Sequence, residues 1–309
     1  MKIEALLTES EISEEFVEAI EARDIPEKFF YWSPASVRAW VAFSQGVAYE
    51  SRLHSWSLVV EDVERISSHL DSIVAVISLG AGDGAQDILL LKALRSVNLD
   101  VDYFPVDASQ NLLEIACAAA EDEDVDTLGL KADISSPMHL VLAADASENP
   151  KLFLLCGNTL GGFDPLDLIR HLAQCMHEDD RLIVDAEIHD PAAAFASRDN
   201  PVGRRFAFAP LESLGISKDD GEIRFEQRHD ERFEGLWVIT RHFQTARDIR
   251  LTVLDREITL QRGERVGLSF NYTYTIDAFR SLLTQHGRLT ILHEYSSPDG
   301  RYVTVVCSR

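Results

Sequence analysis

The chain has 309 residues, 46% of them hydrophobic, which is enough for a sizeable core and near the length at which one domain divides into two. Its formal net charge of −23 argues against a nucleic-acid partner, since phosphates are neutralised by Lys and Arg. No stretch reaches about 18 uninterrupted apolar residues, so no membrane partner or span is expected. The acidic start "MKIEALLTESEISEEF" lacks the basic end and apolar centre of a secretory signal, so the expected location is the cytoplasm.

In chain order, residues 1–70 read as a helical segment. "SEISEEFVEAIEARD", "SPASVRAWVAFSQGVAY" and "SLVVEDVERISSHLD" carry helical periodicity, with starts expected at Ser10 and at Ser33-Pro34. From residue 71 to 195 the pattern alternates. Apolar runs such as "IVAVISLG", "VDYFPVD", "LGLKADI", "KLFLLCGNT" and "RLIVDAEI" are divided by amphipathic stretches. That is a parallel sheet of βαβ units, the doubly wound α/β class, in which ligands sit beyond the C-terminal strand ends.

Residues 196–274 change period again. "EIRFEQRHD", "LWVITRHFQT", "IRLTVLDREITL" and "RVGLSFNYTYT" alternate polar and apolar positions, as antiparallel strands with one wet face do. They predict an inserted, mostly antiparallel β domain. Residues 275–309 then resume the core with the helix "IDAFRSLLTQHG", closed by Gly287, and a strand pair around Pro298-Asp299-Gly300.

Gly80-Ala81-Gly82-Asp83-Gly84 lies between a strand and a helix, where backbone N–H groups can approach a nucleotide closely. No Lys-Ser/Thr follows, so it is not a phosphate loop. Its third glycine is one residue early for the dinucleotide pattern, which counts against an NAD-dependent oxidoreductase. The next strand ends at Asp107, followed by Ala108, and an acid there can accept both ribose hydroxyls of an adenosyl cofactor. Asp107 could also cap the helix opening at "DASQN", a role compatible with cofactor binding. The third strand brings Asp133 and Ile134 to where an adenine amine and ring face would lie. The fourth ends in "CGNTLGGFDP", with Gly157, Asn158 and Thr159 at its tip. The four cysteines, Cys117, Cys156, Cys175 and Cys307, form no CxxC pair, and no HxxxH or HExxH pattern occurs, so no metal site is expected.

An acid-tipped second strand, an acid–apolar pair after the third and a C-terminal hairpin together resemble class I S-adenosylmethionine (SAM)-dependent methyltransferases. "YFPVDASQNLLEIA", "LLCGNTLGGFDP", "LIVDAEIHDP" and "RGERVGLSFNYTYTIDAFRSLL" narrow the likeness. Over residues 25–309 the chain resembles the histidine-specific methyltransferases of ergothioneine biosynthesis, as a divergent member. The resemblance implies a Rossmann-like core with an inserted substrate domain and methyl transfer from SAM to the α-amine of histidine, leaving S-adenosylhomocysteine. It carries over well on the cofactor side, to Gly80, Ala81, Gly82, Asp107, Ala108, Asp133, Ile134, Gly157, Asn158 and Thr159.

The acceptor side departs from the family. Gly162 stands where an asparagine holds the substrate carboxylate, and Ser197 falls near the assisting tyrosine. Ser269 and Asn271 replace the glutamate and serine that grip the imidazole. Tyr31, Phe163 and Tyr272 are the remaining expected contacts. Arg198, Arg204 and Arg205 offer a substitute carboxylate anchor, or else pair with surface acids. Glu187 and His189 are the nearest candidate proton acceptors, and no catalytic residue is assigned. A buried polar group without its partner costs about 1–3 kcal/mol, so histidine affinity should be largely lost. The expectation is a small-molecule amine acceptor other than histidine, an amino acid or derivative; the alternative is a SAM-binding protein without transfer activity.

Overall fold

The computed structural model describes residues 1–46, 50–196 and 198–309. Strand β1 (Ile3–Ala5) and helix α1 (Glu9–Ala22) come first, then β2 (Asp24–Ile25), α2 (Phe29–Trp32), α3 (Pro34–Ser44), α4 (Glu50–Glu61) and α5 (Val63–Ser67). α1 starts earlier than Ser10. Thr8 caps it through a reciprocal pair with Glu11, which serves two of the otherwise orphaned N–H groups. Ser33-Pro34 does open α3, with the Ser33 hydroxyl accepting from Ser36 N–H.

The alternating stretch folds as β3 (Ile73–Leu79), α6 (Ala85–Ser96), β4 (Asp100–Asp107), α7 (Gln110–Glu121), β5 (Gly129–Lys131), α8 (Pro137–Ala144), β6 (Lys151–Leu155), α9 (Pro165–Cys175) and β7 (Arg181–Glu187). Then come α10 (Pro201–Glu212), β8 (Gly221–His229), β9 (Leu236–Thr245), β10 (Ile249–Val253), β11 (Arg256–Leu260) and β12 (Arg265–Tyr274). The chain closes with α11 (Ile276–Ser281), β13 (Thr290–Ser296) and β14 (Tyr302–Ser308).

The main sheet has eight strands in the order β1-β5-β4-β3-β6-β7-β14-β13. β1 through β7 in that order are parallel, while β14 runs antiparallel to both its neighbours. This is the class I methyltransferase arrangement read from the sequence, a doubly wound sheet with a C-terminal antiparallel pair. β3 is buried from Val74 to Leu79 because helices cover both faces, which is why its sequence is a continuous apolar run and not an alternation. The chain turns one way from β3 into β4 and β5, then the other way into β6. That reversal opens a crevice at the carboxyl ends of β3 and β6.

The N-terminal stretch is more than helical. β1 extends the main sheet at its edge through Ile3 opposite Gly129, and β2 pairs with β12 in a second sheet ordered β2-β12-β9-β8. The insertion, expected as mostly antiparallel strands, likewise opens with a helix, α10; Asn200 caps it by accepting from Val202 and Gly203 N–H. Phe29 and Phe30 from the N-terminal helices, Phe206 from α10, and Phe243 and Leu268 from β9 and β12 share one buried cluster. Helices α1 to α3 and the insertion therefore pack as one body over the crevice, whereas Trp56 and Val59 of α4 and Val63 and Ile66 of α5 pack with the main sheet. Among the described residues, no helix is long and apolar enough to cross a membrane.

Candidate active site

Strand ends of the main sheet build one wall. β3 runs into the glycine loop, where Gly80 takes φ +75° and a Cβ would stand 2.8 Å from Thr159 Cγ2, so only glycine fits without displacement. Gly80 and Ala81 N–H donate to Val106 O at 2.8 and 3.1 Å, tying the loop to the neighbouring strand. Gly82 N–H donates to Asp107 Oδ2 at 2.9 Å, and Ser109 N–H donates to Oδ1 at 2.8 Å. Asp107 is 9% exposed. Burial pushes its carboxyl up to about 6, against the pull of the Ser109, Gly82 and Ala108 N–H groups. The cap of α7 itself is Ser109, whose hydroxyl accepts from Leu112 N–H. Asp107 thus stands two residues before the cap and lines the crevice.

Beyond β5, burial works to raise the Asp133 carboxyl, yet the Lys28 ammonium at 2.7 Å and the Ser135 bonds hold it below the usual range. At the tip of β6, Gly157 and Asn158 N–H donate to Asp185 of β7 at 2.9 and 2.7 Å, and Thr159 Oγ1 donates to Cys156 O at 2.6 Å. Burial raises the Asp185 carboxyl, opposed by the Arg52 charge and those two N–H groups. In α6, burial lifts Asp87 to about 6 while Ser78 and the Tyr103 hydroxyl bond to it.

The facing wall comes from the N-terminal segment and the insertion. Glu27 lies between β2 and α2. Its Oε1 accepts from the Tyr31 hydroxyl at 2.8 Å, and its Oε2 accepts from Arg241 at 2.9 Å and from Ser269 at 2.5 Å. Arg241 on β9 also donates to Leu268 O and lies 4.4 Å from the Phe30 ring centroid. Ser269 is held at φ +60° where the β12–β9 register slips between Gly267 and Phe270. This bulge turns its hydroxyl toward Glu27. Asn271 accepts from Asn158 Nδ2 at 3.0 Å and donates to Tyr272 O.

The two walls enclose a cavity of about 460 Å³, in the range of small-molecule sites. Gly80, Ala81, Gly82, Asp107, Ala108, Asp133, Ile134, Gly157, Asn158 and Thr159 all line it, as do Tyr31, Gly162, Phe163 and Asn271. Three expected acceptor contacts do not. Arg204 is 46% exposed and salt-bridged to Asp199, because α10 turns it outward. Ser269 sits behind Glu27. The Tyr272 hydroxyl accepts from Arg232 at 3.0 Å and donates to Asp230 at 3.3 Å, away from the crevice, and burial pushes it up to about 12. Ser197 lies outside the described residues.

Arg198 lines the cavity and is ion-paired with Glu187. Glu187 and His189 face an adjoining space of about 480 Å³ that shares Phe43 and Tyr302 with the first. His189 stacks on Trp237 at 4.4 Å, with Nδ1 2.9 Å from Thr273 Oγ1. Burial lowers its pKa, against Glu187 and Asp190. Sequence reasoning missed Glu27, Lys28, Arg52, Asp87 and Arg241. Asp87 follows the glycine loop directly, in the first turn of α6, whereas Glu27, Lys28, Arg52 and Arg241 reach the cavity only through long-range packing.

A family model described as "Histidine-specific methyltransferase, SAM-dependent" matches residues 9–309. No curated protein matches the chain. Among solved structures, a putative methyltransferase from Thermobifida fusca YX is 12% identical over 90% of this chain and 89% of that one, with TM-score 0.49. An S-adenosylmethionine-dependent methyltransferase from Clostridium acetobutylicum is 14% identical, over 82% and 90%, with TM-score 0.42. A SAM-bound amino pentose methyltransferase from Micromonospora echinaspora is 13% identical, over 85% and 95%, with TM-score 0.41. These likenesses concern the fold alone. By the family match across nearly its whole length, the chain belongs to the histidine-specific, SAM-dependent methyltransferase family.

Proposed function

We propose that the chain transfers the methyl group of SAM to the amine of a small acceptor other than histidine. The wall at β3, β4 and β5 fits the cofactor. Asp107 is a buried carboxylate beside two backbone N–H groups, suited to accept a pair of ribose hydroxyls. Ile134 and Ala108 offer apolar surface for an adenine ring, with the Asp133–Lys28 pair at its edge. When bound, SAM would supply an electrophilic methyl: the amine lone pair forms the N–C bond as the S–C bond breaks, S-adenosylhomocysteine leaves as a neutral thioether and the positive charge passes from sulfur to nitrogen. The chain's own residues align the partners and keep water out of the crevice. Asp185 fixes the Gly157–Asn158 turn between the two walls, and Asn158 in turn holds Asn271.

The observation that carries the acceptor half is the position of Glu27. Its Cγ lies 2.8 Å from where a Cβ on Gly162 would stand. Glu27 thus occupies the space that an asparagine side chain at this position would need, and a histidine carboxylate held beside it would meet a like charge. Ser269 and Asn271 are engaged with Glu27 and Asn158, which leaves little to grip an imidazole. The test is an extract of small metabolites incubated with the protein and SAM and read by mass. The expected result is one or more amines other than histidine gaining a methyl increment on nitrogen. Efficient methylation of histidine overturns the reading, and SAM binding with no methylated product reduces the protein to a cofactor binder.

A further inference from the structure

The acceptor wall contains a recognition residue that the family resemblance does not supply. We infer that Glu27 receives the acceptor's amine, and that the acceptor carries no carboxylate beside that amine; this rests on the amine-methylation reading above. Glu27 is placed firmly. The β2–β12 pairing brings the segment in through Asp24 and Ile25, and the missing side chain at Gly162 makes room for it. Its side chain is 11% exposed and faces the cavity. Tyr31, Arg241 and Ser269 donate to it, against about four acceptor directions on a carboxylate. One direction remains for an N–H from the cavity side.

The charges around it favour a cation without a neighbouring anion. Among the described residues, the cations lining the cavity already act on carboxylates: Arg241 faces Glu27, Arg198 faces Glu187 and acts on Glu27 as well, Lys28 faces Asp133 and Glu15, and Arg52 acts on Asp185. An α-carboxylate lies only two bonds from its amine. An amino acid bound by its amine at Glu27 would therefore bring a second carboxylate close to the first, with no uncommitted guanidinium to receive it. A partly buried setting screens that repulsion weakly. The same amine without the carboxylate meets no such penalty. The acceptor class is accordingly an alkyl or arylalkyl amine, the kind of product that decarboxylation of an amino acid yields.

Paired probes test this: histidine against histamine, tyrosine against tyramine, tryptophan against tryptamine, and lysine against cadaverine. Methyl transfer from SAM is followed by mass, and binding is followed by calorimetry on protein loaded with S-adenosylhomocysteine. The amine of at least one pair should be favoured about tenfold or more in kcat/KM. Glu27→Gln, which keeps the shape, should remove most of that preference and leave S-adenosylhomocysteine affinity unchanged. Gly162→Ala, whose Cβ meets Glu27 Cγ, should erode it too without touching the carboxylate chemically. Preference for the amino acids, a preference that survives Glu27→Gln, or no binding by any probe overturns the inference. N-methylation of amino acids overturns it alone, whereas products methylated only on oxygen or carbon overturn the amine reading as well.

Discussion

The two walls of the cavity are built on different principles. The cofactor wall is made of strand ends from one sheet, and its contacts run from backbone N–H groups to carboxylates close in the fold: Gly82 and Ser109 to Asp107, Gly157 and Asn158 to Asp185. The acceptor wall is made of side chains that meet from remote parts of the chain, Glu27 reaching Arg241 and Ser269 across 214 and 242 residues. Backbone chemistry tolerates sequence drift because nearly every residue supplies an N–H. Side-chain chemistry does not, since a single replacement changes what can be bound. One site can thus keep its cofactor while its acceptor changes.

The sharpest way to break this comparison is to attack the wall expected to be fixed. Asp107→Ala removes a charged acceptor for the cofactor together with the anchor of Gly82 and Ser109 N–H. Loss of hydrogen bonds to a charged group predicts a cost of about 1.5–3 kcal/mol in cofactor binding, which is roughly ten- to a hundredfold in Kd. Calorimetry with S-adenosylhomocysteine measures it. An unchanged Kd would leave Asp107 as a loop anchor only.

The next test addresses the acceptor wall. Gly162→Asn restores the family's asparagine in name, but its Cβ would meet Glu27 Cγ at 2.8 Å. Overpacking of this kind costs about 1–3 kcal/mol, so thermal stability should fall and histidine turnover should not appear. Glu27→Ala in the same chain frees the space and should recover most of the stability. If Gly162→Asn alone is as stable as wild type, Glu27 moves easily and the two positions are not coupled.

The difference between the walls also explains what could be read beforehand. The glycine loop, the acid ending β4 and the turn after β6 are local patterns whose spacing carries their geometry, so the residues expected at the cofactor all line the cavity. The helix α10 was hidden because the alternating strands that follow set the expectation for the whole insertion, although Asn200 and Pro201 mark a helix start. Glu27 had no local signal. In "IPEKFF" it reads as an ordinary surface acid, and only the pairing of β2 with β12 brings it under Ser269. The bulge that puts Ser269 at φ +60° is likewise invisible to a strict alternation of faces.

A smaller effect comes from pH, and it separates fold from function. Burial holds Asp107 and Asp87 at about 6, above the usual carboxylate range. Between about pH 6 and the ordinary carboxylate pKa near 4, the folded chain therefore binds more protons at these groups than the unfolded chain. Their contribution to stability rises as pH falls through that window and is lost as pH rises through it. Cofactor affinity should move the other way, because a protonated Asp107 accepts hydrogen bonds poorly. The expected loss approaches tenfold in Kd per pH unit below about 6, and Asp107→Asn should flatten it. Affinity that stays level from pH 7 to pH 5 would mean the ribose site does not depend on that charge.

The smallest effect is expected outside both walls, at Arg204. The basic stretch of the insertion offered a replacement carboxylate anchor, yet its arginines have separate fates. Arg198 is buried in a pair with Glu187 and lines the cavity. Arg204 pairs with Asp199 on the surface and donates to Ile223 O at 3.0 Å, while its guanidinium lies 5.7 Å from the Phe225 ring centroid. A half-exposed pair of this kind contributes about 0–1 kcal/mol, less at high salt. Arg204→Ala should accordingly lower Tm slightly and leave both cofactor affinity and acceptor turnover unchanged. Arg198→Ala should act differently: it strands a partly buried Glu187 carboxylate, so stability falls more and acceptor kinetics change with it. If Arg204→Ala raised KM for the acceptor while Arg198→Ala did not, the acceptor would have to be reached from the α10 surface, and the crevice between the two walls would no longer be the place where it binds.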